Sequence, residues 1–100
     1  MKVRYRELAL SDLGCIFRFL DEQSPAGARQ VIGAIHAAIG DIALNPPSSR
    51  ATSDPTVRVK IVSRYGYKVF YSVEADAVEI LHIRHGARRA WPAESATDKD

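Results

Sequence analysis

This chain has one cysteine, one methionine and one tryptophan, and it holds no long apolar run. A lone Cys15 excludes an intrachain disulfide, and the chain holds no CxxC pair for metal or redox work. No apolar stretch approaches the roughly 20 residues needed to cross a bilayer. The opening residues, Met1-Lys-Val-Arg-Tyr-Arg, carry charge where a secretory leader would carry an apolar segment. No membrane association is expected, and a cytoplasmic location follows by default. Phosphate-cradling and dinucleotide-binding glycine motifs are absent as well, so no cofactor is expected.

The histidines give no repeated ligand spacing. His36 stands alone in the middle of the chain, and His82 and His85 are three apart on a strand candidate, which points them to opposite faces. No metal site is expected. No carboxylate is obviously paired with a histidine, and no serine occupies a strained turn. A hydrolase triad is therefore not indicated.

What remains is ordinary soluble material. One hundred residues, 46% hydrophobic and 26% charged, fit one domain with a modest core. The domain is expected over residues 1–92, followed by a flexible polar tail over 93–100. The net charge is only +2, but it is unevenly spread. Between Val57 and Pro92, seven cations (Arg58, Lys60, Arg64, Lys68, Arg84, Arg88, Arg89) face three anions (Glu74, Asp76, Glu79). Such an excess favours an acidic partner, nucleic acid or protein. It is equally compatible with cations that protect a sheet edge.

The pattern along the chain reads β-α-α-β-β-β. Val3 to Glu7 alternates as a short strand. A helix from about Ser11 to Glu22 carries Leu13, Ile16, Phe17 and Leu20 as one apolar stripe, with Ser11 as its cap. Cys15 and Phe17 are expected to pack in the core. A second helix starts at Ser24-Pro25, an N-cap followed by a proline where its missing N–H is harmless. Its apolar face is Val31, Ile32, Ile35, Ala38, Ile39 and Ile42, and Asn45-Pro46-Pro47 ends it. Gly33 and Gly40 would be excused by close approach of the two helices. Residues 48–55 read as a loop.

Three strands follow, at about 57–62, 67–73 and 78–85, joined by hairpin turns. The fold class expected is α+β: an antiparallel sheet, the N-terminal strand at its edge, with a two-helix hairpin packed on one face. In the first of these strands Val57, Val59 and Ile61 alternate with Arg58 and Lys60. In the second Val69, Tyr71 and Val73 alternate with Lys68, Phe70 and Ser72. The apolar sets are expected to face the helices and the other sets to form an open cationic face, with His82 and Arg84 added from the last strand.

Metal-free RNA cleavage needs a base, an acid and cations for the phosphate. Lys60, Lys68, Arg84, Arg88 and either His82 or His85 are residues of the right kind. The same residues serve equally to solvate a sheet and hold an acidic partner.

Two segments carry a resemblance. Gly66-Tyr-Lys-Val-Phe-Tyr71 and Ile80-Leu-His-Ile-Arg-His-Gly-Ala-Arg-Arg89, after a helical hairpin, are similar to the RelE/ParE superfamily of toxins from type II toxin–antitoxin pairs, over about Val3 to Trp91. The resemblance implies a cytoplasmic toxin neutralised by a cognate antitoxin with an acidic C-terminal segment, and a role in plasmid stabilisation. In the RelE-like branch it implies a metal-independent endoribonuclease acting on messenger RNA at the ribosome, with Lys68, Arg88 and His85 as candidate catalytic residues. In the ParE-like branch it implies an inhibitor of DNA gyrase rather than an enzyme. The His85-Gly-Ala-Arg88 ending matches the ParE-like branch, and the C-terminal tyrosine of several RelE-like enzymes has no counterpart after Arg89. The gyrase-inhibitor reading is therefore preferred. Candidate antitoxin- or target-binding residues are Arg58, Lys60, Lys68, Phe70, His82, Arg84, Arg88, Arg89 and Trp91.

Overall fold

The computed structural model describes residues 1–45, 50–51, 54–62 and 64–85. Their elements are β1 (Lys2–Tyr5), α1 (Glu7–Asp21), α2 (Pro25–Leu44), β2 (Arg50–Ala51), β3 (Arg58–Val62), β4 (Tyr67–Val73) and β5 (Ala77–His85). The sheet order is β1-β5-β4-β3-β2. The α+β class and the order of the main elements are as the sequence indicates. The sheet is mixed rather than antiparallel throughout, because β1 runs parallel to β5, with Val3 beside Val78 and Tyr5 beside Ile80. The short β2 pairs with β3 where the sequence reads as loop. Alternation reports which face a residue takes, and is silent on which strand lies alongside and in which direction.

The two helices are joined by a three-residue turn closed by Ser24 N–H donating to the Leu20 carbonyl at 2.8 Å. Ser24 caps α2 as expected, its hydroxyl accepting from Gly27 N–H at 3.1 Å, with Pro25 at the start of the helix. Val31, Ile35, Ala38, Ile39 and Ile42 are buried, and Ile32 packs beside them. They meet Tyr67, Val69, Tyr71, Val78, Ile80 and Ile83 from the sheet in one core.

Helix α1 differs from its reading in three ways. It starts at Glu7, with Arg6 at the cap position, so Ser11 lies inside it and caps nothing. Ala9 is buried and Leu13, Ile16 and Leu20 pack half-buried against the core, while Phe17 is 41% exposed. One residue advances a helix by about 100°, which carries Phe17 well to the side of Ile16. Cys15 is exposed rather than packed. Gly33 and Gly40 do not mark a close helix approach either: a Cβ added at either position would meet nothing within 4 Å.

The two faces of the sheet follow from register. Residues directly opposite on antiparallel strands share a face. Val59 is opposite Phe70, and Lys60 is opposite Val69. Since Val69 belongs to the core under the helices, Arg58, Lys60 and Val62 point toward the helical side, and Val57, Val59 and Ile61 point away. That reverses the expected phase of β3. The phase of β4 is as expected, with Tyr67, Val69 and Tyr71 under the helices.

Between β4 and β5 the register shifts at Phe70/Tyr71: Phe70 faces His82 and Tyr71 faces Ile80. Leu81 is the extra residue of this β-bulge, so Leu81 and His82 both turn to the face away from the helices. That face carries a second apolar cluster of Val57, Val59, Phe70 and Leu81.

A groove between α1 and the free edge of β5

The strand β5 outruns its neighbour. β1 pairs with it only as far as Ile80, where Arg6 N–H donates to the Ile80 carbonyl at 2.9 Å and the chain turns into α1. From Leu81 to His85 the lane beside β5 belongs to α1. Asp12 fills it: its Oδ2 accepts from Ile83 N–H at 2.8 Å and lies 2.6 Å from His82 Nδ1. A carboxylate thus does the work of a missing strand, satisfying an edge donor that would otherwise lack a backbone partner.

The groove so formed has a volume of about 430 Å³. Ile16, Cys15 and Phe19 line its helical wall, and Tyr67, His82, Arg84 and His85 line its sheet wall. The helical wall comes from a second stripe on α1. Leu8, Asp12, Cys15 and Phe19 are spaced four, three and four apart, which puts them on one side of the helix. Leu8 and Phe19 are about half exposed, at 49% and 54%. On the sheet wall, His82 stacks over Phe70 with centroids 6.0 Å apart, and His85 meets Tyr67 edge-on at 5.0 Å. The groove therefore offers an apolar lip, two imidazoles, a guanidinium and the Asp12 carboxylate.

The structure sorts the candidate residues. His82, Arg84 and His85 meet in this groove. His82 and His85 lie on opposite faces, yet both reach it, because the groove opens at the strand edge. Lys68 sits opposite Arg84 on the face away from the helices. Arg58 and Lys60, expected on that open face, point instead toward the helical side, Lys60 into a cleft with Ala34, Ala38 and Asp41 of α2. Phe70 is fully buried and Arg84 nearly so, so neither is a ready surface contact. Arg88, Arg89 and Trp91 lie outside the described residues. Asp12, Cys15 and Phe19 were missed in the sequence, as was the pairing of a carboxylate with His82. The four-three-four stripe was the signal, hidden by placing the start of the helix too late.

No group of three or more histidine, cysteine or acidic side chains converges among the described residues. No described helix is long and apolar enough to cross a membrane.

A helical hairpin on one face of a mixed sheet, with a groove between the first helix and the last strand, defines a small α+β domain. The family of ParE toxins of type II (parDE) toxin–antitoxin systems matches residues 3–90, and the chain belongs to it. Among solved structures, the chromosomal ParDE toxin–antitoxin system from P. aeruginosa is similar, with a TM-score of 0.73 and 20% identity, over 85% of this chain and 95% of that one. At that identity the likeness speaks to the fold. No curated protein matches the chain.

Proposed function

We propose that this toxin acts by binding rather than by cutting RNA, with DNA gyrase as its target, and that a cognate antitoxin with an acidic C-terminal segment neutralises it. One observation carries the preference for binding. Of the candidate ribonuclease set, Lys68 points away from the helices, opposite Arg84, while His85 points toward them, opposite Tyr67. A base and a phosphate-holding cation that act on one scissile bond must converge on it. His85 lines the groove at the edge of β5, whereas Lys68 lies one strand in on the other face and is not among the residues lining it.

The groove between α1 and β5 is the proposed antitoxin site. An acidic segment laid there pairs with His82 and His85 and places an apolar side chain against Phe19. Burial of that half-exposed side chain would contribute on the order of 1 kcal/mol, from roughly 25 cal/mol per Å² of apolar surface removed from water.

The deciding experiment pairs gyrase supercoiling in vitro with messenger RNA cleavage on translating ribosomes, both with purified protein. Loss of supercoiling with intact message is the expected result. Cut message with normal supercoiling overturns the proposal and makes Lys68, Arg88 and His85 catalytic suspects. Neither effect overturns it in favour of a member that acts only through its antitoxin.

A further inference from the structure

The hairpin between β3 and β4 keeps a long side chain where its backbone favours none. Arg64 has a φ of 82° and is the one residue other than glycine in left-handed backbone among the described residues. In that conformation a Cβ crowds the following carbonyl, so glycine is the default and asparagine the usual substitute. Either would make the same turn with less strain. The arginine therefore needs a reason of its own.

Two local reasons fall short. The Arg64 guanidinium lies 5.6 Å from the centroid of the Tyr65 ring. At an exposed site such a contact is weak, and it offsets the strain only in part. No carboxylate among the described residues pairs with Arg64 either. Arg64 stands exposed, while Tyr65 is half-buried and packs against the core under the helices. The ring is a fixed platform, and the guanidinium is a charge held at the surface above it.

The hairpin tip and the side of α2 border a cleft of about 390 Å³, lined by Gln30, Ala34, Arg64 and Tyr65. Its lining offers one cation, one carboxamide, one phenol ring and one methyl group. We propose that this cleft takes an acidic side chain of the toxin's protein target. The carboxylate pairs with the Arg64 guanidinium and accepts from the Gln30 amide, while its stem lies on Ala34 and the Tyr65 ring. The planar fork of an arginine matches the two oxygens of a carboxylate. A nucleic acid would call for several cations spaced along its phosphates, and only one lines this cleft.

The inference rests on the reading of this protein as one that acts by binding a protein, and it names the surface that meets the target. That surface is separate from the proposed antitoxin site, since none of the four cleft residues lines the groove between α1 and β5. A strained residue kept for binding also has a recognisable signature: relieving the strain raises stability and lowers activity.

Three variants test it: Arg64→Gly, Arg64→Lys and Gln30→Glu. Each is expressed in cells at matched protein level with growth arrest as the readout, and each is purified for thermal unfolding and gyrase supercoiling. Arg64→Gly is expected to unfold at or above the wild-type temperature, yet to need roughly tenfold more protein to arrest growth and to inhibit supercoiling. Gln30→Glu places an anion in the cleft without touching the hairpin, and is expected to lose activity to a similar degree. Arg64→Lys keeps the charge without the fork and should fall between Arg64→Gly and wild type. Full activity of Arg64→Gly or of Gln30→Glu overturns the proposal and leaves the gyrase reading standing. Growth arrest that needs Arg64 while wild-type protein leaves supercoiling and message intact supports the cleft and overturns gyrase as its partner. Wild-type protein that neither arrests growth nor inhibits gyrase overturns both. Binding to labelled duplex DNA or RNA that depends on Arg64, read by fluorescence anisotropy, overturns the proposal in favour of a nucleic-acid contact.

Discussion

Asp12 on α1 and His82 on β5, 70 positions apart, meet at 2.6 Å, and the same carboxylate oxygen accepts the Ile83 backbone N–H at 2.8 Å. Both side chains are only 17% exposed. This contact fixes the first helix against the end of the last strand that β1 does not reach, and so borders the groove between them. Asp12→Ala strands a half-buried imidazole and an edge amide together, and is expected to cost about 1–3 kcal/mol in urea unfolding. Asp12→Asn keeps an oxygen that can accept from Ile83 N–H and should recover part of that loss. Equal losses for both variants would show that charge, rather than the bond to the strand edge, is what matters.

The long helix offers contrasting substitutions. Ser24→Ala removes the hydroxyl that holds Gly27 N–H and should cost about 1 kcal/mol. Gly33→Ala and Gly40→Ala face open space and should each stabilise by about 1 kcal/mol, read as a raised thermal midpoint. Loss of stability at either glycine would mean that the helix is covered there by something outside the described residues.

The hairpin between β3 and β4 holds two residues in left-handed backbone, Arg64 with φ of 82° and Gly66 with φ of 76°. Gly66→Ala should cost about 1–2 kcal/mol, because a Cβ is strained at this positive φ. Arg64→Gly relieves the same kind of strain and should stabilise, by about 1 kcal/mol after losing the guanidinium stacked 5.6 Å over Tyr65. Chemical denaturation of the two variants, moving in opposite directions, checks both.

Asp54 opens the approach to β3. Its Oδ1 accepts from Thr56 N–H at 2.9 Å and from the Thr56 hydroxyl at 2.7 Å, which holds its carboxyl below its ordinary value of 3.8. The unfolded chain therefore takes up this proton at a higher pH than the folded one. Its contribution is present in full above the ordinary value and disappears as pH falls through the lower folded one. An NMR titration should place the Asp54 midpoint below that of an unpaired aspartate, and Thr56→Ala should move it up.

Phe19 separates binding from folding. It is 54% exposed on the lip of the groove, so Phe19→Asp should change stability by no more than about 0.5 kcal/mol. The same change introduces an anion where an acidic antitoxin segment is proposed to lie, and should weaken that complex at least tenfold by calorimetry. Unchanged affinity would move the antitoxin site away from this groove.

Several elements were legible from residues alone. The spacing of Val31, Ile35, Ala38, Ile39 and Ile42 shows the second helix and its buried side, and Ser24-Pro25 shows its first turn. The Val69, Tyr71, Val73 alternation gives the correct face of β4, although Val73 at its end is 43% exposed. The first helix was read four residues short at its start, because Arg6 carries no side-chain cap and Ser11 imitates one. Phe17 reads as core because it adjoins Ile16 in sequence, although neighbours on a helix diverge by about 100°.

The site was less legible than the fold. His82, Arg84 and His85 are conspicuous in a basic ending, but Asp12, the partner of His82, lies at the other end of the chain. Nothing local to either segment indicates the pairing. The phase of β3 failed for a related reason. With apolar residues on both faces of the sheet, Val57, Val59 and Ile61 form as good an inner set as an outer one.

Periodicity and turn chemistry, which are local, thus determined the elements, their order and the family they resemble. Tertiary structure decided the parallel placement of β1, the facing of β3 and the groove. Those depend on register, on a bulge at Leu81 and on how far one strand outruns its neighbour. Each is a relation between segments distant in sequence, fixed by which backbone donors find partners when the layers pack.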